Sequence, residues 1–318
     1  MLLLDSRHWV LPIVVSLLAL VKCDPEPTQS LSPSLVASSS ATPASESTKP
    51  TKEPPKPNPD DKKYFHEPGG DDLLHHYDIR YFQKIVTDEE RQDTLRHLIR
   101  AYLLTFDYIG VETWIAHGSL LAWYWNGKIL PWDWDLDTQV TDEGLKTLGK
   151  HFNQTYYDYD QGDGSPARRY FLDVNSMAWE RVRGDGANII DARFISVDNG
   201  LFIDITGLSE AHPDTEPGII MCKNHHKYTL KDIFPLRETH FEGVKAKVPY
   251  SYIPILAKEY TEQALVRTEH HGHKWHADVR EWIMTPEEKE KQEAEAKAKL
   301  DAEEKAKSGE GKTKDDNP

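Results

Sequence analysis

The stretch Pro131-Trp132-Asp133-Trp134-Asp135-Leu136-Asp137-Thr138-Gln139-Val140 decides the reading of this chain. Its residues alternate with period two, which predicts a strand with Asp133, Asp135 and Asp137 on one face and Trp132, Trp134 and Leu136 on the other. Three carboxylates along one strand face repel each other unless a cation neutralises them. Hard oxygen ligands of this kind suit Mg²⁺ or Mn²⁺. The competing reading is an edge strand whose acids simply face water, and the flanking sequence has to separate the two.

Upstream, Thr87-Asp88-Glu89-Glu90 reads as a capping box opening a helix. Leu95, Leu98, Ile99, Tyr102, Leu103 and Phe106 then recur at helical spacing up to a stop near Gly110. Trp114-Ile115-Ala116-His117 predicts a short buried strand. Gly118-Ser119 predicts a sharp turn, with Ser119 capping a second helix that ends at Asn126-Gly127. A glycine turn before a helix N-terminus lets a phosphate approach the backbone, so Gly118 and Ser119 are candidate phosphate-binding residues. Alone they would read as an ordinary cap. Followed one helix later by an acidic strand, they predict a nucleotidyltransferase-like α+β fold, a mixed sheet flanked by helices in a single globular domain.

That fold needs a further carboxylate on a neighbouring strand. Residues 192–197 and 201–206 read as a hairpin turning at Asp198-Asn199-Gly200. Asp204 lies in its second strand between Ile203 and Ile205, where a lone carboxylate is costly unless paired or bound to a metal. Asp204 therefore joins the aspartates of the opening stretch, Asp133, Asp135 and Asp137, as a candidate metal-binding or base residue.

Two blocks carry a family resemblance. His117-Gly118-Ser119-Leu120-Leu121 with Gly127 to Asp137 is the first. Residues 228–236, Phe241-Glu242-Gly243-Val244 and Val248-Pro249 form the second. Together they resemble the LicD/fukutin family of phosphosugar and phosphocholine transferases over residues 114–260. The Trp123-Tyr124-Trp125-Asn126-Gly127 variant is most similar to the fungal branch that includes mannosylphosphate transfer factors. The resemblance implies Mg²⁺- or Mn²⁺-dependent transfer of a phosphorylated group, most simply mannose phosphate, from a nucleotide-sugar donor to a glycan hydroxyl. It implies that Asp135 and Asp137 are the metal pair, Asp204 the later carboxylate, and Asp133 an orienting residue behind them. Bacterial members usually carry Arg where Trp125 stands, so that arginine's contacts do not transfer. A regulator that keeps the fold and assists a partner glycosyltransferase is the alternative, and a secreted carbohydrate-binding protein is a third.

The rest of the chain sets the context. Residues 1–23 hold an apolar run from Trp9 to Val21, about the length of a signal peptide's h-region and shorter than the ~20 residues of a membrane span. We read a signal peptide or short anchor there, with a cytosolic N-terminal helix as the alternative. Residues 24–63, rich in Pro, Ser, Thr and Lys, read as a disordered stem, and 64–285 as the folded domain. Residues 286–318 read as a charged helical tail, opened by the capping box at Thr285-Pro286-Glu287-Glu288 and without the apolar seam of a coiled coil. A formal net charge of −15 argues against a nucleic-acid partner, and two cysteines build no disulfide framework. Asn153-Gln154-Thr155 is a glycosylation sequon, consistent with the Golgi or with secretion. Arg168, Arg169, Arg181, Arg183 and Arg193 are candidate phosphate contacts. The cluster His270, His271, His273 and His276 matches no zinc spacing, and it, like His75-His76 and His225-His226, reads as structural or surface.

Overall fold

The computed structural model describes residues 34–38, 62–162, 164–181, 187–210 and 212–309. The expected signal segment 1–23, most of the stem and Arg183 lie outside them. Seven stem residues are described: 62–63, and Ser34–Ser38 (β1), which forms an edge strand.

The predicted first helix is α1, Asp88–Ile109. The Thr87 hydroxyl accepts the Glu90 N–H at 3.2 Å, a cap of about 1 kcal/mol, and Gly110 closes the helix in the left-handed region (φ 69°) that glycine alone enters freely. Next come β2 (Thr113–Ile115), α2 (His117–Asn126), β3 (Asp137–Thr141) and α3 (Asp142–Thr147). Strands β4 (Thr155–Asp160), β5 (Arg168–Val174), β6 (Ala192–Ser196) and β7 (Phe202–Glu210) follow. The chain continues through β8 (Ile219–Met221), β9 (Lys227–Thr229) and the short α4 (Leu230–Ile233). The hairpin β10 (Arg237–Phe241) and β11 (Val244–Val248) leads to α5 (Tyr252–Tyr260). A small sheet of β12 (Glu269–His270), β13 (His273–His276) and β14 (Glu281–Met284) precedes α6 (Pro286–Gly309).

The main sheet runs β1-β4-β5-β6-β7-β3-β2, with β8 on β7 and β9 on β8. All pairs are antiparallel except β3 with β7, which is parallel, so the sheet is mixed and helices flank it. This is the expected α+β nucleotidyltransferase-like architecture, and the predicted hairpin is β6–β7.

The sheet's two faces differ, because side chains alternate along each strand. Leu172, Phe194, Ile203 and Ile205 join Leu98, Ile99, Tyr102 and Phe106 of α1 in the main core, each fully or almost fully buried. Burial of this kind stabilises by about 1.5–3 kcal/mol per large side chain. The opposite face carries Phe171, Ile195 and Phe202, a small satellite cluster, and two residues further along the same strands it carries Asp173, Arg193 and Asp204. The segment 62–82 covers this polar face: Arg80 binds Asp173 at 2.5 Å, and Glu67 binds Arg193 at 2.7 Å.

Candidate active site

The opening stretch corrects the strand expectation. Only Asp137–Thr141 is strand, and residues 131–136 form a turn and loop. One local and several long-range side-chain contacts hold the chain out of the ladder there. The buried guanidinium of Arg91 donates to the carbonyls of Pro131 (2.8 Å) and Asp133, and stacks over Trp134 at 4.6 Å. Asp133 Oδ1 accepts the Trp134 N–H at 3.1 Å. Trp132 packs on Trp282, His270, His271 and His273, whereas Trp134 packs on His76 and Tyr77. The alternation thus reflects two separate anchor points, and Leu136 is the third.

The three aspartates still converge. Asp133, Asp135 and Asp137 line one cavity of about 350 Å³ together with Gly118. Its other walls are Trp125, Trp132 and Trp282, with Tyr260, Arg267 and His270 at the polar side. A Cβ on Gly118 would stand 3.5 Å from Asp133 Oδ2 and 3.7 Å from Tyr260 Oη, so glycine keeps open the space between them.

Ser119 does something other than expected. The helix begins at His117 with Ala116 at its N-cap and no side-chain cap, so Gly118-Ser119 is its first turn rather than a separate loop. The buried Ser119 hydroxyl accepts the Asp137 N–H at 3.0 Å. It fixes the strand residue that bears the innermost carboxylate.

Burial pushes Asp137 up to about 8; His117 opposes this, and the charges of Asp204, Asp135 and Asp133 add to it. Burial, then Asp135, pushes Asp133 up to about 6. Asp204 is also raised by burial, against the pull of Arg193. Asp135 is the exposed member, in contact with His76. Carboxylates driven towards their neutral forms by burial and by one another are what a divalent cation reverses. The oxygen-only donor set fits Mg²⁺ or Mn²⁺.

Asp204 faces Asp137 across β3–β7, but Arg193 Nε holds its Oδ1 at 2.8 Å, and it lines a second cavity with Glu67 and Arg193. The proposed phosphate arginines among the described residues are occupied: Arg168 by Asp93, Arg169 by Asp158, Arg181 by Asp191 and Arg193 by Asp204 and Glu67. The guanidinium at the cavity is instead Arg267, which the sequence reading missed because it follows α5 in a stretch without a motif.

His117, His226 and Glu259 were missed as well. His117 Nδ1 lies 2.9 Å from Glu259 Oε2. Burial is the largest influence and works against both charges, but their hydrogen bond together with the neighbouring charges, Asp137 on His117 among them, raises His117 and, with the Tyr228 hydroxyl, lowers Glu259. Burial, then His117, lowers His226. Asn153 is exposed just before β4, its Oδ1 accepting the Val174 N–H at 2.8 Å.

A mixed sheet that holds aspartates on and before one strand, opposite another on its parallel neighbour, with a helix N-terminus beside them, defines a nucleotidyltransferase-like domain. Residues 110–251 match the family described as LicD/FKTN/FKRP, nucleotidyltransferase domain, in agreement with the two motif blocks. Two proteins of Saccharomyces cerevisiae are similar. Mannosyltransferase regulator 4 is 40% identical over 157 residues, covering 46% of this chain and 13% of the yeast protein. Mannosyltransferase regulator 14 is 39% identical over 139 residues, 42% of this chain and 15% of the relative. The chain therefore matches only a small part of the length of these relatives.

Proposed function

We propose that this domain transfers a phosphosugar, mannose phosphate from a nucleotide-mannose donor, to a glycan hydroxyl. The observation that carries this reading is the convergence of Asp133, Asp135 and Asp137 on one aromatic-walled cavity, with Asp204 facing Asp137. Asp135 and Asp137, with Asp204 behind them, would hold Mg²⁺ or Mn²⁺. The bound ion would neutralise the donor diphosphate and the leaving nucleotide. Trp132 and Trp125 offer faces for a sugar ring, and Arg267 offers a charge-assisted contact to phosphate. The N-terminal turn of α2 at Gly118 adds backbone N–H groups for an anion.

The names of the yeast relatives favour a second reading, a regulator that assists a partner mannosyltransferase. We further propose that the protein works in the secretory pathway, in the Golgi lumen or at its membrane, or after secretion. The apolar run Trp9–Val21 and the exposed sequon at Asn153 support this. Among the described residues no helix is long and apolar enough to cross a membrane.

The test is release of nucleotide from a panel of nucleotide-linked sugars by the purified chain, with Mn²⁺ and a mannan acceptor. Transfer is expected from wild type and not from Asp137→Asn. A wild-type chain that releases no nucleotide, yet raises the activity of a co-purifying mannosyltransferase, would establish the regulatory reading instead.

A further inference from the structure

His117, His226 and Glu259 come from three separate elements: the first residue of α2, the turn between β8 and β9, and the penultimate residue of α5. One ligating atom from each lies within 4.8 Å of the other two. The side chains of His117 and Glu259 are 13% and 9% exposed, and His226 is half-buried beside them. The two imidazole rings stand 4.3 Å apart at 42°, tilted rather than stacked. An ion pair alone would account for His117 and Glu259. It gives no reason for a second imidazole at the same point.

The surrounding groups hold these three in place. Glu259 Oε1 accepts the Tyr228 hydroxyl at 2.8 Å, leaving Oε2 towards His117. His226 Nδ1 lies 3.4 Å from the buried thiol of Cys222, which leaves Nε2 as its free donor. Partners of this kind orient metal ligands and are commonly needed for affinity.

We propose that His117, His226 and Glu259 bind one Zn²⁺, in a site separate from the aspartate cavity. Two imidazoles and a carboxylate are a borderline donor set that suits Zn²⁺, whereas the aspartates offer only hard oxygen and suit Mg²⁺ or Mn²⁺. Bonds of roughly 2.0–2.1 Å place tetrahedral donors about 3.3 Å apart, so side-chain rotation of ~1 Å closes the set around the ion. The fourth position is left to water. The site has a structural consequence: Gly118 and Tyr260, the chain neighbours of His117 and Glu259, both line the aspartate cavity. Zinc would fasten the start of α2 to the end of α5 and fix two walls of that cavity. The inference rests on this donor set and holds whatever reaction the aspartates support.

The full chain, purified without a histidine tag, should retain about one Zn²⁺ after dialysis against a weak chelator. Replacement by Co²⁺ should give the visible bands of a four-coordinate ion. His226→Ala and Glu259→Gln should each lose the metal and the Zn²⁺-dependent rise in thermal midpoint, while His270→Ala/His271→Ala should keep both. Unchanged zinc in His226→Ala, loss of zinc in the His270/His271 variant, or no retained zinc in wild type would each overturn the proposal. If neither site variant folds, X-ray absorption on the wild-type zinc protein decides. A shell with two imidazoles supports the site, and one without imidazole refutes it.

Discussion

Asp137 and Asp204 stand directly opposite each other on the two parallel strands of the sheet, β3 and β7. The same row continues to Arg193 on β6 and Asp173 on β5, so charges line one face in sequence across four strands. Arg193 answers Asp204 at 2.8 Å, and Arg80 answers Asp173 at 2.5 Å. Asp137 ends the row on the cavity side, with further carboxylates as its neighbours. The row supplies a cation for the structural acids and leaves the demand for another at Asp137.

Under the proposed function, Asp137→Asn is expected to lower metal-dependent nucleotide release by about 10²–10³-fold, because a ligand of the proposed cation is lost. Asp135→Asn should lower it similarly, and both variants should fold. Nucleotide release against a Mn²⁺ titration checks this, together with circular dichroism of each variant.

Stability without divalent cation should fall as pH rises. Asp137 is raised in the fold to about 8, so its protonated form is favoured by folding. That contribution is fully present below the ordinary carboxylate range and is lost as pH climbs through about 8. Mn²⁺ should therefore raise the thermal midpoint more at pH 8 than at pH 5, and Asp137→Asn should flatten the dependence. Melting curves across this range, with Mn²⁺ and with a chelator, are the measurement.

Ser119→Ala should leave the buried Asp137 N–H without its acceptor. The cost is about 1–3 kcal/mol in stability. Metal affinity should weaken by roughly 10–100-fold, as when a group supporting a ligand is removed. Urea unfolding and Mn²⁺ binding report the two effects separately.

Arg193→Met should cost about 3–5 kcal/mol, because it strands the Asp204 carboxylate without its cation and leaves Glu67 with Lys63 alone. Adding Glu67→Gln to Arg193→Met should recover part of the loss. Chemical denaturation of the single and double variants tests the coupling.

Arg267→Ala should raise the donor KM by roughly 10–100-fold while leaving stability within ~0.5 kcal/mol, since the side chain is exposed and the contact proposed for it is to the donor phosphate. Initial-rate kinetics over a range of nucleotide-sugar concentrations would show whether KM alone moves.

The sequence by itself determined the elements whose signals are local. Thr87 and Gly110 bounded α1, Asn199-Gly200 turned the β6–β7 hairpin, and Asp133, Asp135, Asp137 and Asp204 stood out as acids among apolar neighbours. Those signals come from nearby backbone and side-chain chemistry, so a linear reading reaches them. The tertiary structure decided what each group faces. The loop at 131–136 reads as strand until Arg91, 40 residues earlier, takes the Pro131 carbonyl. Ser119 reads as a cap until β3 arrives to give it the Asp137 N–H. His117, His226 and Glu259 carry no shared spacing, because α2, the β8–β9 turn and α5 meet only when the sheet is assembled. Pairing of β3 with β7, which puts Asp137 against Asp204, is likewise a long-range contact: periodicity shows which side of a strand a residue lies on, but not which strand will lie beside it.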